Sequence, residues 1–99
     1  MGTVPRFVPI TVSQQTSGPG IYLVTVSGIT LTLDNFLRWN DPTAPIIVKN
    51  MVGAGANITV TANGGAGLID GASSFTLNNV NQAIAFTPYQ NGTSWIITA

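Results

Sequence analysis

Ninety-nine residues allow one domain, and only 6% of them are charged, against about 25% in an ordinary soluble domain. Three cations and three carboxylates cancel, and the chain has no His and no Cys. That inventory excludes a Ser-His-Asp triad, an imidazole or thiolate metal site, a disulfide framework and a phosphate-neutralising basic patch within one subunit.

The first residues differ from the rest. Thr3-Val4-Pro5-Arg6-Phe7-Val8-Pro9-Ile10 sets two prolines among apolar residues, and proline cannot donate to a ladder. Residues 1–16 are therefore expected to form an arm lying on a neighbouring subunit, or an edge strand, ahead of a single β domain over 17–99. Val4, Arg6, Phe7 and Val8 are the candidate contacts of such an arm. The N-terminus lacks the basic region, apolar run and cleavage site of a signal peptide. No apolar run approaches the ~18–20 residues that a membrane helix needs, so no membrane partner is expected.

Beyond the arm, apolar residues alternate at period two. In Ile29-Thr30-Leu31-Thr32-Leu33 the aliphatics point one way and the threonines the other, and Ile58-Thr59-Val60-Thr61 repeats the arrangement. Strands are expected near 7–13, 21–26, 29–33, 46–50, 57–62, 67–70, 74–77, 82–87 and 94–98. Ser17-Gly18-Pro19-Gly20, Ser27-Gly28, Asn63-Gly64-Gly65, Asp70-Gly71 and Asn91-Gly92 punctuate them as turns. Short strands at this spacing indicate an all-β fold, an antiparallel β-sandwich or small β-barrel of jelly-roll type. No internal repeat stands out.

The longest interruption runs from Asp34 to Pro42. Asp34 is placed to cap a short helical turn, and Phe36, Leu37 and Trp39 are placed to fold back as a lid. In the competing reading Phe36, Arg38 and Trp39 meet a partner.

From about Leu31 to Ile97 the chain resembles a β-rich segment of tailed-bacteriophage virion proteins. The pieces are Ile46-Ile47-Val48-Lys49-Asn50, Asn57-Ile58-Thr59-Val60-Thr61, Ile69-Asp70-Gly71, Ser74-Phe75-Thr76-Leu77-Asn78, Gln82-Ala83-Ile84 and Asn91-Gly92-Thr93-Ser94-Trp95, in that order. The family occurs in tail-fibre or tail-spike tips and in capsid-decorating (cement) proteins. The resemblance implies a virion structural role, a homotrimer and, in the decorating setting, the phage major capsid protein as partner on the capsid exterior. A chain that starts at Met1 without a fibrous shaft favours decoration over the alternative, a receptor-binding tail tip recognising a host polysaccharide.

Chemistry is thin beside this. Glycoside cleavage needs two opposed carboxylates, and only Asp34 and Asp41, flanking the Trp39 loop, are conceivable partners. Asp70 reads as a turn residue, since Ca²⁺ takes 6–8 oxygen ligands. No enzyme activity, cofactor, metal or nucleic-acid partner is expected. Trp39, Trp95, Tyr22 and Tyr89 are the residues able to stack on sugars, with Trp95 read first as core.

Overall fold

Period-two alternation sets Ile46, Val48 and Asn50 on one side of a strand and Ile47 and Lys49 on the other, and the computed structural model shows that burial pattern. The structure describes residues 7–34, 45–53, 55–62, 68–89 and 94–98, apart from the Tyr89 side chain. Its strands are β1 (Phe7–Ile10), β2 (Gln14–Gln15), β3 (Gly20–Val24), β4 (Thr30–Leu33), β5 (Ile46–Asn50), β6 (Ile58–Ala62), β7 (Ser74–Leu77), β8 (Ala83–Tyr89) and β9 (Ser94–Ile97). No helix occurs among the described residues.

The strands form two mixed sheets, one ordered β1-β3-β5-β8-β9 and the other β2-β4-β6-β7. The chain alternates between them, and each pass stacks parallel on the one before. β1, β3 and β5 are parallel in the first sheet, and β2, β4 and β6 in the second. The result is three turns of a flattened coil. Strands β7, β8 and β9 then reverse direction and pair antiparallel with β6, β5 and β8 respectively. The expected antiparallel pairing is therefore found for this last third and is replaced by parallel stacking in the first two.

The cause lies in the turns. Ser27-Gly28 closes no hairpin; it carries the chain from one sheet to the other, and the Gly28 amide donates to the Asn57 carbonyl of the next coil at 2.8 Å. Its φ of 85° lies in the region that glycine enters without strain. Ser27 Oγ accepts from the Asn57 amide at 2.9 Å, and Ser13 Oγ accepts from Thr30 at the same distance one coil earlier. Parallel strands need a crossover, and here the crossover is a strand of the opposite sheet.

Inward residues of both sheets join in one core. It includes Ile10, Tyr22, Val24, Val48 and Phe86 from the first sheet and Leu31, Leu33, Ile58, Val60 and Leu77 from the second. Phe75 of β7 in the second sheet meets Phe86 of β8 in the first edge-on, with centroids 6.0 Å apart. Trp95 is buried, as its alternating strand implied.

The segment near 67–70 is not a regular strand. Ile69 and Ala72 exchange both backbone bonds, at 2.7 and 2.9 Å, around Asp70 and Gly71. Both central residues have positive φ, 50° and 81°, as the Asp-Gly pair anticipated. The segment also lies along β9, where the Trp95 amide donates to Leu68 and the Trp95 carbonyl accepts from Asp70. It thereby covers that edge of the first sheet.

At the opposite edge, β1 (Phe7–Ile10) is an edge strand of the same sheet; residues 1–6 of the expected arm lie outside the described residues. The Ile10 carbonyl accepts from the Thr25 amide at 3.1 Å, so the backbone groups of Ile10 face β3. Those of Pro9 face outward, where proline presents no amide.

Candidate functional site

No cluster of three or more His, Cys, Asp or Glu side chains occurs among the described residues. Polar side chains instead gather at two corners. At one, Thr16 is buried and its hydroxyl donates to an Asp34 carboxylate oxygen. The Asp34 amide donates back to Thr16 Oγ1 at 2.9 Å, and the Gly18 amide donates to Asp34 Oδ2 at 3.1 Å. Tyr22 adds its hydroxyl, which accepts from the Ser17 amide at 2.9 Å and donates to the Gly18 carbonyl at 2.7 Å. Asp34 is thus committed to holding the β2–β3 connection. Residues 35–42, which it was expected to cap, lie outside the described residues, as does Asp41.

At the other corner Asn50 is fully buried. Its Nδ2 donates to the carbonyls of Gly53 (3.1 Å) and Asn79 (2.7 Å), and its Oδ1 accepts from the amides of Val52 (2.8 Å) and Gly53 (3.3 Å). Asn50 sits in register with Val24, which in turn sits on Ile10. The third coil therefore uses an amide where the first two use aliphatics, and that amide ties the β5 turn to the β7–β8 turn. Every polar atom is engaged, so the burial carries no desolvation deficit.

The outward surfaces of the two sheets differ sharply. On the four-stranded sheet, Thr30, Thr59 and Thr76 stand in one row, and Gln15, Thr32, Thr61 and Ser74 in the next. On the five-stranded sheet the outward rows are Phe7, Ile21, Ile47 and Ala85, then Pro9, Leu23, Lys49 and Ala83. Phe7 is 56% exposed and Ile96, on β9, is 37% exposed. Lys49 is the one charge in those rows. Its side chain is half-buried, and among the described residues Nζ reaches only the Asn81 carbonyl, at 3.4 Å.

A second apolar surface runs along the turns. Val12, Val26 and Val52 each stand two residues past register partners Ile10, Val24 and Asn50, and all three are exposed. Exposed Met51 and Val80 lie on the β5 and β7–β8 turns, which Asn50 ties together.

Of the expected contact residues, the structure brings only part of one set into view. Phe7 lies on the apolar outer face. Its neighbour Val8 turns the other way and packs against the core. Val4, Arg6, Phe36, Arg38 and Trp39 lie outside the described residues. Two of the four aromatics able to stack on sugars, Tyr22 and Trp95, are buried. The sequence reading missed Ile21, Leu23, Ile47 and Lys49 as a face. A signal for the underlying stacking was present: Ile10-Thr11-Val12-Ser13 returns as Val24-Thr25-Val26-Ser27, at the 14-residue offset that sets Phe7 on Ile21.

No helix among the described residues is long and apolar enough to cross a membrane. Comparison with known protein families, curated proteins and solved structures finds no match to this chain.

Proposed function

We propose that this chain is a structural protein of a bacteriophage virion, a decoration (cement) protein that binds the outside of the capsid as a homotrimer and stabilises the shell. The observation that carries the reading is the outer face of the five-stranded sheet, where apolar side chains stand in register with a single charge among them. The resemblance of the Ile46–Ile97 pieces to virion proteins supplies the setting. In this reading the two sheets are the layers of a small sandwich.

The size of the face bears on how it works. Five strands about 4.8 Å apart, presenting roughly four residues at 3.3 Å each, make an area of about 300 Å². That matches the largest apolar patch on many monomers, which is often where partners bind. It is less than half of the roughly 800 Å² per partner in a stable pairwise complex. A single copy therefore binds weakly, and linked copies gain avidity. A trimer seated on the shell needs one surface for its copies and another for the shell. The turn ridge of Val12, Val26 and Val52 and the sheet face are two such surfaces. Binding only to the assembled shell stabilises that state by mass action.

The test is to count the chain in purified particles and to weigh it in solution. Decoration requires on the order of several hundred copies per virion, set by shell symmetry, and a trimeric mass for the isolated chain. A few tens of copies or fewer would move it to the tail. A monomer at high concentration with no affinity for phage heads overturns the proposal. The tail-tip alternative calls for an exposed aromatic cluster, to which Tyr22 and Trp95, both buried, do not contribute.

A further inference from the structure

We infer that the outer face of the five-stranded sheet docks a different chain, not a second copy of this one, and that this partner sets a carboxylate against Lys49. The inference deepens the decoration reading by naming the chemistry of the contact, and it rests on that reading only for the identity of the particle.

Lys49 lies on β5, the middle strand of its sheet, so any cover that closes over the face closes over Lys49. Its ammonium has one carbonyl within reach, at a distance long for a charge-assisted bond, and forms no ion pair among the described residues. Covering an ammonium without an acid is strongly unfavourable. The partner must therefore bring the acid. Room exists for it: β8 places Ala83 directly beside Lys49 and Ala85 beside Ile47, so the floor next to the amine is low.

A second copy does not meet this need. Two identical faces packed about a twofold axis would each bring a lysine on the middle strand and no carboxylate from their outward rows. Of the chain's three aspartates, Asp34 and Asp70 are among the described residues and Asp41 is not. Asp34 is bound to Thr16 and Gly18, and Asp70 sits on the turn beside β9 with Oδ1 accepting from the Ile97 amide. Neither belongs to the outward rows of this sheet. The ridge at Val12, Val26 and Val52 carries no charge and remains the surface for copies.

Lys49 is the only lysine in the chain, so amine chemistry reports on it directly. The experiment treats purified phage particles that carry the chain, and the free chain in parallel, with an amine-acylating reagent. A second portion receives a zero-length carbodiimide, which couples an ammonium to a touching carboxylate. Peptide mass spectrometry reads both. The expected result is acylation of Lys49 slowed at least about tenfold on the particle, with a cross-link from Lys49 to an Asp or Glu of another kind of chain. Lys49→Glu should lower particle occupancy at least about tenfold, while Lys49→Arg stays within about threefold. Acylation at the free-chain rate, or a cross-link only to an aspartate of another copy, overturns the inference. Protection of Lys49 in a tail-located chain keeps the inference and overturns the decoration reading. A chain found on no particle overturns both.

Discussion

The two sheets share one core and one pleat, yet they treat the solvent in opposite ways. The four-stranded sheet turns threonines outward, as in Thr30 and Thr32 opposite Thr59 and Thr61. The five-stranded sheet turns outward Ile21, Leu23 and Ile47. A chain this poor in charge has two means of tolerating a surface, wetting it with hydroxyls or covering it with another molecule; the four-stranded sheet uses the first, and the second is what we propose for the five-stranded sheet. Low charge is therefore a property of faces in this protein and not of the molecule as a whole. The face where hydroxyls are missing is the one proposed above as the functional surface.

The contrast can be broken or sharpened by substitution. The largest effect is expected at Asn50, which ties together turns on which both sheets depend. Asn50→Ala removes four hydrogen bonds and leaves the Asn79 and Gly53 carbonyls with one partner fewer. A loss of about 3 kcal/mol, or about 15 °C in Tm, is expected in thermal unfolding followed by circular dichroism. Next comes the binding contrast. Ile47→Glu should reduce particle occupancy on the order of 100-fold, about 2.7 kcal/mol, and cost little stability. Thr61→Glu, the same charge placed on the opposite face, should leave occupancy within about twofold. Equal effects from the two would erase the distinction between the faces.

Smaller effects are expected at the remaining polar contacts. Thr16→Val removes the hydroxyl that both donates to and accepts from Asp34, and should cost about 1.5 kcal/mol in urea unfolding without altering particle binding. The smallest lies within the threonine rows. Thr32 Oγ1 and Thr61 Oγ1 are 3.2 Å apart, and a double-mutant cycle with valine at both should give a coupling of about 0.5 kcal/mol. A coupling several times larger would mean that the hydroxyl face is a built network and not merely a wetted one.

Much of the strand layout could be read from residue order, because alternation at period two directly encodes a half-buried strand. Leu31 and Leu33, and Ile58 and Val60, are buried where that pattern placed them. Gln14–Gln15 was not legible as a strand, since two exposed polar residues have no apolar partner to reveal a face. Parallel pairing was not legible either. It depends on whether a Gly-containing turn folds a strand back on its own sheet or sends it to the other, and Ser27-Gly28 reads the same in both cases. The contact face escaped notice for a related reason. Ile21 and Leu23 flank buried Tyr22 and Val24, so the run looks like continuous core until pairing shows which side each residue takes.

In the proposed decoration role, Pro9 has a further consequence. Many copies held side by side expose their sheet margins to one another at high local concentration, the condition under which strand margins polymerise into amyloid. A ring nitrogen without hydrogen at the margin of the first coil, together with the Leu68–Asp70 cover on the opposite margin, denies such growth a template at both ends of that sheet. Copies packed densely in that role would thus not be joined through the margins of this sheet.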